Sequence, residues 1–569
     1  MMQTIRFRQT LILLFAFLIP GFPVVSVRAA DADADARLEK LEQAVSALQQ
    51  ENKEMKQENK ALKQQVSALQ QHKAPVQSSA VAAAPPRPEQ RQPAAVASAP
   101  SPLAQPEFKG LPFDLTNNEL VTSPLGKTPL GLQIGDVTFT ILGFMDFTSV
   151  TRSTRDGGDI GTSFATFAYP NTAAGQLSET RFSAKNSRLG LRMDTDIGNL
   201  KVLGYVETDF LGNAAGSLNV VSNADTLRMR VFFLDVQDGP WEFLAGQDWS
   251  MLTPNRKGIS PLPNDIFYSQ NVDINYQVGL VWERTPQVRL LYHPSDEWTI
   301  GVSAENPEQY VGATVTLPKN FDSSQVDNGG NGPGTPNFMP DFIGKVAYDT
   351  KIAGHPFHAD AAGLLREFKI NTFNAINGAS SDAWATGYGG SFNMNIGVFP
   401  HFQLIENLFA SNGGGRDIST GLGPDFIVTT PDAAGNYHIK TVDSYAGIVG
   451  FEWDVLPNSK LFGYYGQTYF GREFSQFSNG SFVGYGFPAG TQTASTVAAN
   501  TIASNADNKR IEEFTIGLSQ ILWKSERYGD IKLLLQYSYL DRDPWFVAPG
   551  TPANAHMHMG YVDFRYDLP

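Results

Sequence analysis

The chain has 569 residues, no cysteine and a formal net charge of −14. Missing thiols exclude disulfides, thiolate metal sites, thiol catalysis and a lipidated N-terminal cysteine, and the negative balance argues against a nucleic-acid partner. Residues 1–130 hold 14 basic and 12 acidic side chains, so the remainder carries −16.

Arg6 and Arg8 precede the apolar run Leu11 to Ile19, Pro20-Gly21 breaks it, and Ala29-Ala30 stand before DADADA. That layout predicts a cleaved export signal over residues 1–29, in a bacterial-type envelope protein. The run is short for a spanning helix, and no later stretch reaches the roughly 18 uninterrupted apolar residues that one needs.

Residues 37–73 carry Leu38, Leu41, Val45, Leu48, Asn52, Met55, Asn59, Leu62, Val66 and Leu69 at alternating spacings of three and four. This heptad seam predicts an α-helical coiled coil and hence a homo-oligomer. Leu41, Leu48, Met55, Leu62 and Leu69 take d sites, and Asn52 and Asn59 take a sites. Glu51 and Glu58 at g sites stand five residues ahead of Lys56 and Lys63 at e sites, which suits parallel chains in register. A buried a-site asparagine fixes register best in dimers, so the seam by itself leans toward two strands. Residues 74–130 read as a linker and pre-barrel segment, rich in Ala, Pro, Ser and Gln as far as Pro106.

From residue 131 to 569 the chain alternates strands with tight turns and long polar connections. Asn186 to Gly212 shows the unit. Leu189, Leu191, Met193, Thr195 and Ile197 share one parity against Arg188, Gly190, Arg192, Asp194 and Asp196, and Gly198-Asn199 then turns the chain back. Further tight turns fall at 237–240, 294–297, 350–356, 400–401, 457–459 and 527–530. Long connections fill 153–180, 213–225, 253–282, 308–340, 371–381, 413–443, 474–509 and 542–555. The count between them is 16 strands, with INYQVGLVW left open as a further strand or part of a loop. Short turns at one end, long loops at the other and faces of opposite polarity predict an all-β fold: a transmembrane 16-stranded antiparallel outer-membrane β-barrel behind an N-terminal coiled coil. A soluble sandwich or propeller explains neither the paired strands nor the alternation. Trp241, Trp249, Trp298, Trp453, Trp523 and Trp545 near strand ends are expected in interfacial girdles.

A barrel of this size leaves an aqueous lumen, so function rests on what lines and narrows it. Arg188, Arg192, Lys201, Arg228, Arg230, Arg284 and Arg289 mark one wall as basic, and the planar guanidinium fork suits carboxylates. Asp194, Asp196, Glu207 and Asp209 lie close by. Two readings follow: an arginine ladder for anions, or a wall whose acids neutralise it. The connection after the fifth strand holds Asn255, Arg256 and Lys257 with Pro254, Pro261 and Pro263; it either folds inward as a constriction or stays exposed. No cofactor and no enzymatic activity are expected. The histidines show no metal-spaced motif beyond the chance-like pair His556/His558, and neither a GxSxG elbow nor a phosphate loop occurs.

The order of signal, coiled coil, Ala/Pro linker and barrel resembles the DcaP-like outer-membrane porins. So do NSRLGLRMDTDIGNLKVLGYVETDF, FLAGQDWSML (Phe243 to Leu252) and ERTPQVRLLYH (Glu283 to His293), which are similar to that family's second to sixth strands. The resemblance implies a trimer of 16-stranded channels for small organic anions such as dicarboxylates, with Arg188, Arg192, Arg284 and Arg289 as the corresponding pore residues. The chain departs from the pattern in ending Asp567-Leu568-Pro569 instead of on an aromatic, and in its a-site asparagines. A carbohydrate- or siderophore-uptake porin, or a structural barrel tethered through its coiled coil, are the alternatives.

Overall fold

The computed structural model describes residues 130–212, 226–262, 265, 270–329, 332–419, 421–488, 507–547 and 550–569. The export signal, the coiled-coil residues Leu41 to Leu69 and the linker lie outside them. Eighteen strand segments form one antiparallel sheet that closes on itself. Glu179–Ser183 and Arg188–Ile197 both pair with Val137–Arg152 and are two halves of one wall strand, and the short Gly131–Ile134 caps the seam, which leaves a barrel of sixteen.

We number the wall strands β1 (Val137–Arg152), β2 (Glu179–Ser183 with Arg188–Ile197), β3 (Leu200–Asp209), β4 (Arg228–Asp238), β5 (Trp241–Trp249), β6 (Arg284–Ser295), β7 (Trp298–Glu305) and β8 (Asp341–Ile352). The second half comprises β9 (His355–Phe373), β10 (Ser380–Phe399), β11 (Phe402–Asn412), β12 (Asp443–Leu456), β13 (Ser459–Phe470), β14 (Asn508–Ser525), β15 (Gly529–Pro544) and β16 (Ala555–Asp567). The seam is unusual. On one edge of β1, residues 144–152 pair with β16, while residues 137–140 pair with Gly131–Ile134.

Tight turns such as Gly198-Asn199 and Gly239-Pro240 join strands at one end. The other end carries eight connections: L1 (153–178), L2 (210–227), L3 (250–283), L4 (306–340), L5 (374–379), L6 (413–442), L7 (471–507) and L8 (545–554). INYQVGLVW belongs to L3 and makes only an isolated bridge, Val281 to Ile418, so it is not a wall strand.

Side chains alternate as the period of two requires. Phe514, Ile516, Val562 and Phe564 point outward and are exposed, whereas Glu513, Thr515, Tyr561 and Asp563 point inward and are buried. Aromatic residues ring the exterior at the short-turn end, with Trp241 against Tyr292, Trp298 against Tyr348 and Phe399 against Phe402 at 4.5–4.6 Å between ring centroids. Trp453 and Trp523 join this exposed ring. Two tryptophans do not. Trp249 is buried inside the barrel, and Trp545 packs against Tyr469 beneath L7, because both stand where the chain leaves the wall to enter a loop.

The lumen is not an open tube. L1, L3, L4 and L6 pack together at the long-loop end around Phe164, Phe167, Val272, Val281, Val311, Ile418 and Phe426, so part of the interior is a hydrophobic core. Among the described residues there is no α-helix.

Candidate functional site

L3 crosses the interior and is held at several walls. The Asn255 N–H donates to Asp360 on β9 (3.3 Å), and its side-chain oxygen accepts from Lys345 on β8 (2.9 Å). Asn395 on β10 donates to the Asn255 carbonyl (3.1 Å). Arg256 reaches Glu452 on β12 through two hydrogen bonds of 2.6 and 3.1 Å. Further along, the Val278 N–H donates to Glu513 on β14 (2.9 Å), and Asp273 accepts from Tyr561 on β16 (2.8 Å). Glycine makes this approach possible: a Cβ on Gly466 would collide with the Val278 carbonyl. Pro254, Asn255 and Arg256 therefore form an inward arm. Lys257 lies under it, facing the chamber at the short-turn end.

That chamber has a volume of about 960 Å³. Asp136, Asp194, Asp196, Asp235, Glu242, Asp265, Asp296 and Asp349 line it, against Arg192, Lys201 and Lys257 as the fixed cations. Arg192 is already engaged by Asp194 on its own strand at 2.8–3.1 Å. Lys201 is exposed and stands in register with Asp196.

The remaining arginines gather at the other end of β2 to β6. Arg228 donates to Asp209 (2.6 and 3.0 Å), and Arg230 to Glu207 (2.5 Å) and Asp209 (2.9 Å). Arg188 is 3.8 Å from Glu207 and lies over Phe144. Arg284 is different. Its guanidinium lies over Trp249 (5.1 Å) and Trp282 (5.5 Å), has no carboxylate partner among the described residues, and keeps one buried N–H group without an acceptor. Four guanidiniums thus share two carboxylates around Tyr276, whose hydroxyl accepts from Arg230 at 3.3 Å. Burial pushes the Tyr276 phenol up, and Arg230, Arg188 and Arg284 outweigh it and hold the group below its ordinary value. Arg289 is separate, 3% exposed and tied to Asp248 (2.7 Å), Gln287 (2.9 Å) and the Trp249 carbonyl (2.6 Å).

Two local irregularities build the cluster. Between Glu207 and Thr208 the β3–β4 register shifts, which makes Arg230 the extra residue of a bulge and turns Arg230 and Val231 both inward. Arg284 has the parity of outward-facing Pro286 and Val288, but it opens β6 directly from L3 and leans over the two indoles. Sequence parity missed Trp249, Tyr276 and Trp282 as partners of the arginines, and Lys345, Asp360 and Glu452 as anchors of L3. No local pattern marks them, because their partners lie on elements remote in the chain.

A closed barrel of sixteen antiparallel strands with tight turns at one end and long loops at the other has the architecture of outer-membrane β-barrels. Neither a protein-family profile nor a curated protein sequence matches the chain. Among solved structures, the outer-membrane channel DcaP of Acinetobacter baumannii aligns at 19% identity over 77% of this chain and 99% of its own, with a TM-score of 0.52, so the two share a fold. More loosely, an anion-selective porin from Comamonas acidovorans aligns at 14% identity over 76% of this chain and all of its own, with a TM-score of 0.38. OmpF of Salmonella typhi aligns at 10% over 77% and 100%, with a TM-score of 0.40.

Proposed function

We propose that this protein is a passive outer-membrane porin for small hydrophilic solutes, chiefly organic anions such as dicarboxylates, assembled as a homo-oligomer, a trimer by resemblance, through a periplasmic coiled coil. The observation that carries the anion preference is the surplus of guanidinium charge around Tyr276, where Arg284 makes no direct ion pair among the described residues and Asp209 acts on it only at longer range. A carboxylate entering there meets forked donors already desolvated by two indoles. Arg192, Arg228 and Arg230 contribute field more than open binding positions, since each is committed to an acid, and Arg289 is neutralised by Asp248 away from the cluster. The acidic chamber beneath L3 acts in the opposite sense and accounts for part of the negative charge of the barrel domain.

The test is a planar-bilayer recording of the full chain under a salt gradient, with succinate and maltose added in turn. An anion-directed reversal potential and block by succinate support the reading. Block by maltose alone would turn it into a carbohydrate porin, and a folded but silent protein would turn it into a structural barrel.

Membrane residence has its own test. Val562 is 48% exposed on the exterior. In hydrocarbon, Val562→Arg costs about 2–4 kcal/mol of barrel stability, measurable as a lower urea midpoint in lipid bilayers. In a water-soluble barrel the same change is close to neutral, and that outcome would overturn the assignment.

A further inference from the structure

L6 brings an arm across the long-loop end of the barrel. Ser419 N–H donates to the Leu280 carbonyl (2.8 Å) and Trp282 N–H to the Asp417 carbonyl (3.1 Å), so the arm pairs with the stem of L3. What pins it is a buried charge knot. Arg416 of L6 contacts Asp341 of β8 (2.9 Å), Glu283 of L3 (3.3 Å) and Glu308 of L4 (3.4 Å). Arg366 of β9 contacts Asp341 (2.8 Å), Asp425 (3.0 Å) and Asp417 (3.5 Å), the last two on L6. Asp327 and Tyr310 of L4 face the same group, next to Glu308 and Asp425.

The count is unbalanced. Arg366 and Arg416 answer five carboxylates, Glu283, Glu308, Asp341, Asp417 and Asp425, and a sixth, Asp327, adjoins Glu308. Both guanidiniums, Asp341, Asp417 and Asp425 are buried. Full ionisation would leave several uncompensated negative charges in a low-dielectric pocket, a state that proteins avoid by retaining protons.

We infer that the L6 arm is a pH-released strap: it stays docked while the surplus carboxylates of the knot hold protons, and it lets go of the L3 stem as they ionise.

The electrostatics agree in direction. Burial, opposed by Arg416, pushes the Glu283 carboxyl up to about 8. Burial, opposed by Arg366, pushes Asp425 up to about 7, and burial together with the hydrogen bond to Asp327 pushes Glu308 up to about 7. A released arm would return these groups toward the ordinary carboxylate range near 4. The docked state therefore binds more protons, its advantage is complete below that range, and it is lost as pH rises through about 7 to 8.

Hydrogen exchange of the full chain in lipid nanodiscs tests the inference, with each rate corrected for its intrinsic pH dependence. Protection of peptides within 413–422 should fall about tenfold or more from about pH 6 to about pH 8.5, while β9 and β14 stay constant. The isosteric double variant Glu283→Gln/Asp425→Asn keeps acceptors in place but removes two of the titrating groups, and its 413–422 protection should change at most about threefold over the same range. Constant protection in the unmodified chain, or an equal fall in the variant, overturns the strap. Should the double variant fail to fold, Glu308→Gln alone, on the partly exposed L4 side, should shrink the fall, and an undiminished fall there is equally fatal.

Discussion

On the proposed porin reading, the double variant Arg188→Ala with Arg284→Ala is expected to lose most of the preference for anions. An ion passing within about 6 Å of a guanidinium, at an effective dielectric between that of protein and water, gains about 1 kcal/mol or more, or about fivefold in occupancy. Arg284 matters most because it makes no direct ion pair among the described residues and Asp209 acts on it only at longer range, and Arg188 next because Glu207, at 3.8 Å, is claimed more closely by Arg230 at 2.5 Å. Reversal potentials in a tenfold potassium chloride gradient measure the effect, and the chloride-to-potassium permeability ratio should drop by at least about fivefold. Arg289→Ala is the control. Its guanidinium is buried against Asp248, so that change should lower barrel stability and leave the ratio nearly unmoved. A reversal potential in the double variant equal to that of the unmodified channel would remove the arginine cluster from the conduction path.

On the proposed porin reading, Glu452→Ala should widen the passage beside the L3 arm. Its carboxylate, 1% exposed, accepts from Arg256 twice, from Tyr464 (2.9 Å) and from Gln403 (2.9 Å), and it fastens the L3 arm to β12. Removing one partner of a buried ion pair costs about 3–5 kcal/mol, here spent on the docking of a loop and not on the wall. Single-channel conductance and open-channel noise should both rise, while the barrel keeps its resistance to unfolding in detergent. Arg256→Ala should act in the same direction more weakly, because Lys460, at 3.7 Å, still compensates Glu452. The two changes combined should add little to Glu452→Ala, as expected for members of one contact. Conductance unaltered in both variants would show that the arm does not limit flow.

The wall was legible in the amino-acid order because barrel physics writes it there. Phe514, Ile516 and Val562 alternate with Glu513, Thr515 and Asp563 since one face meets an apolar exterior and the other an interior of polar contacts, and a turn such as Gly198-Asn199 needs a residue tolerant of φ near +64°. Arg188, Arg192 and Arg289 fall on the inward parity of the wall for the same reason, and Glu207, Asp194 and Asp248 answer them there. What escaped was everything set by contacts across the barrel. The bulge at Arg230 shifts parity by one residue without a local mark, and Arg284 at a strand mouth obeys no alternation. Trp249 reads like a girdle residue and instead forms the floor of the arginine cluster. The L3 anchors Lys345, Asp360 and Glu452 are ordinary inward polar positions until the loop arrives.

The divided edge of β1 bears on how such a cylinder is completed. Its lower half is already occupied by a near neighbour in the chain, Gly131–Ile134, whose hairpin needs no distant contact and can form as soon as those residues emerge. Only the upper half awaits β16, which must slide in until Asp567 stands opposite Phe144 and Leu568 donates to the Gly143 carbonyl. In the finished cylinder the hairpin stands in line with the end of β16 on one edge of β1, so it marks how far that strand extends and with it the stagger of the wall.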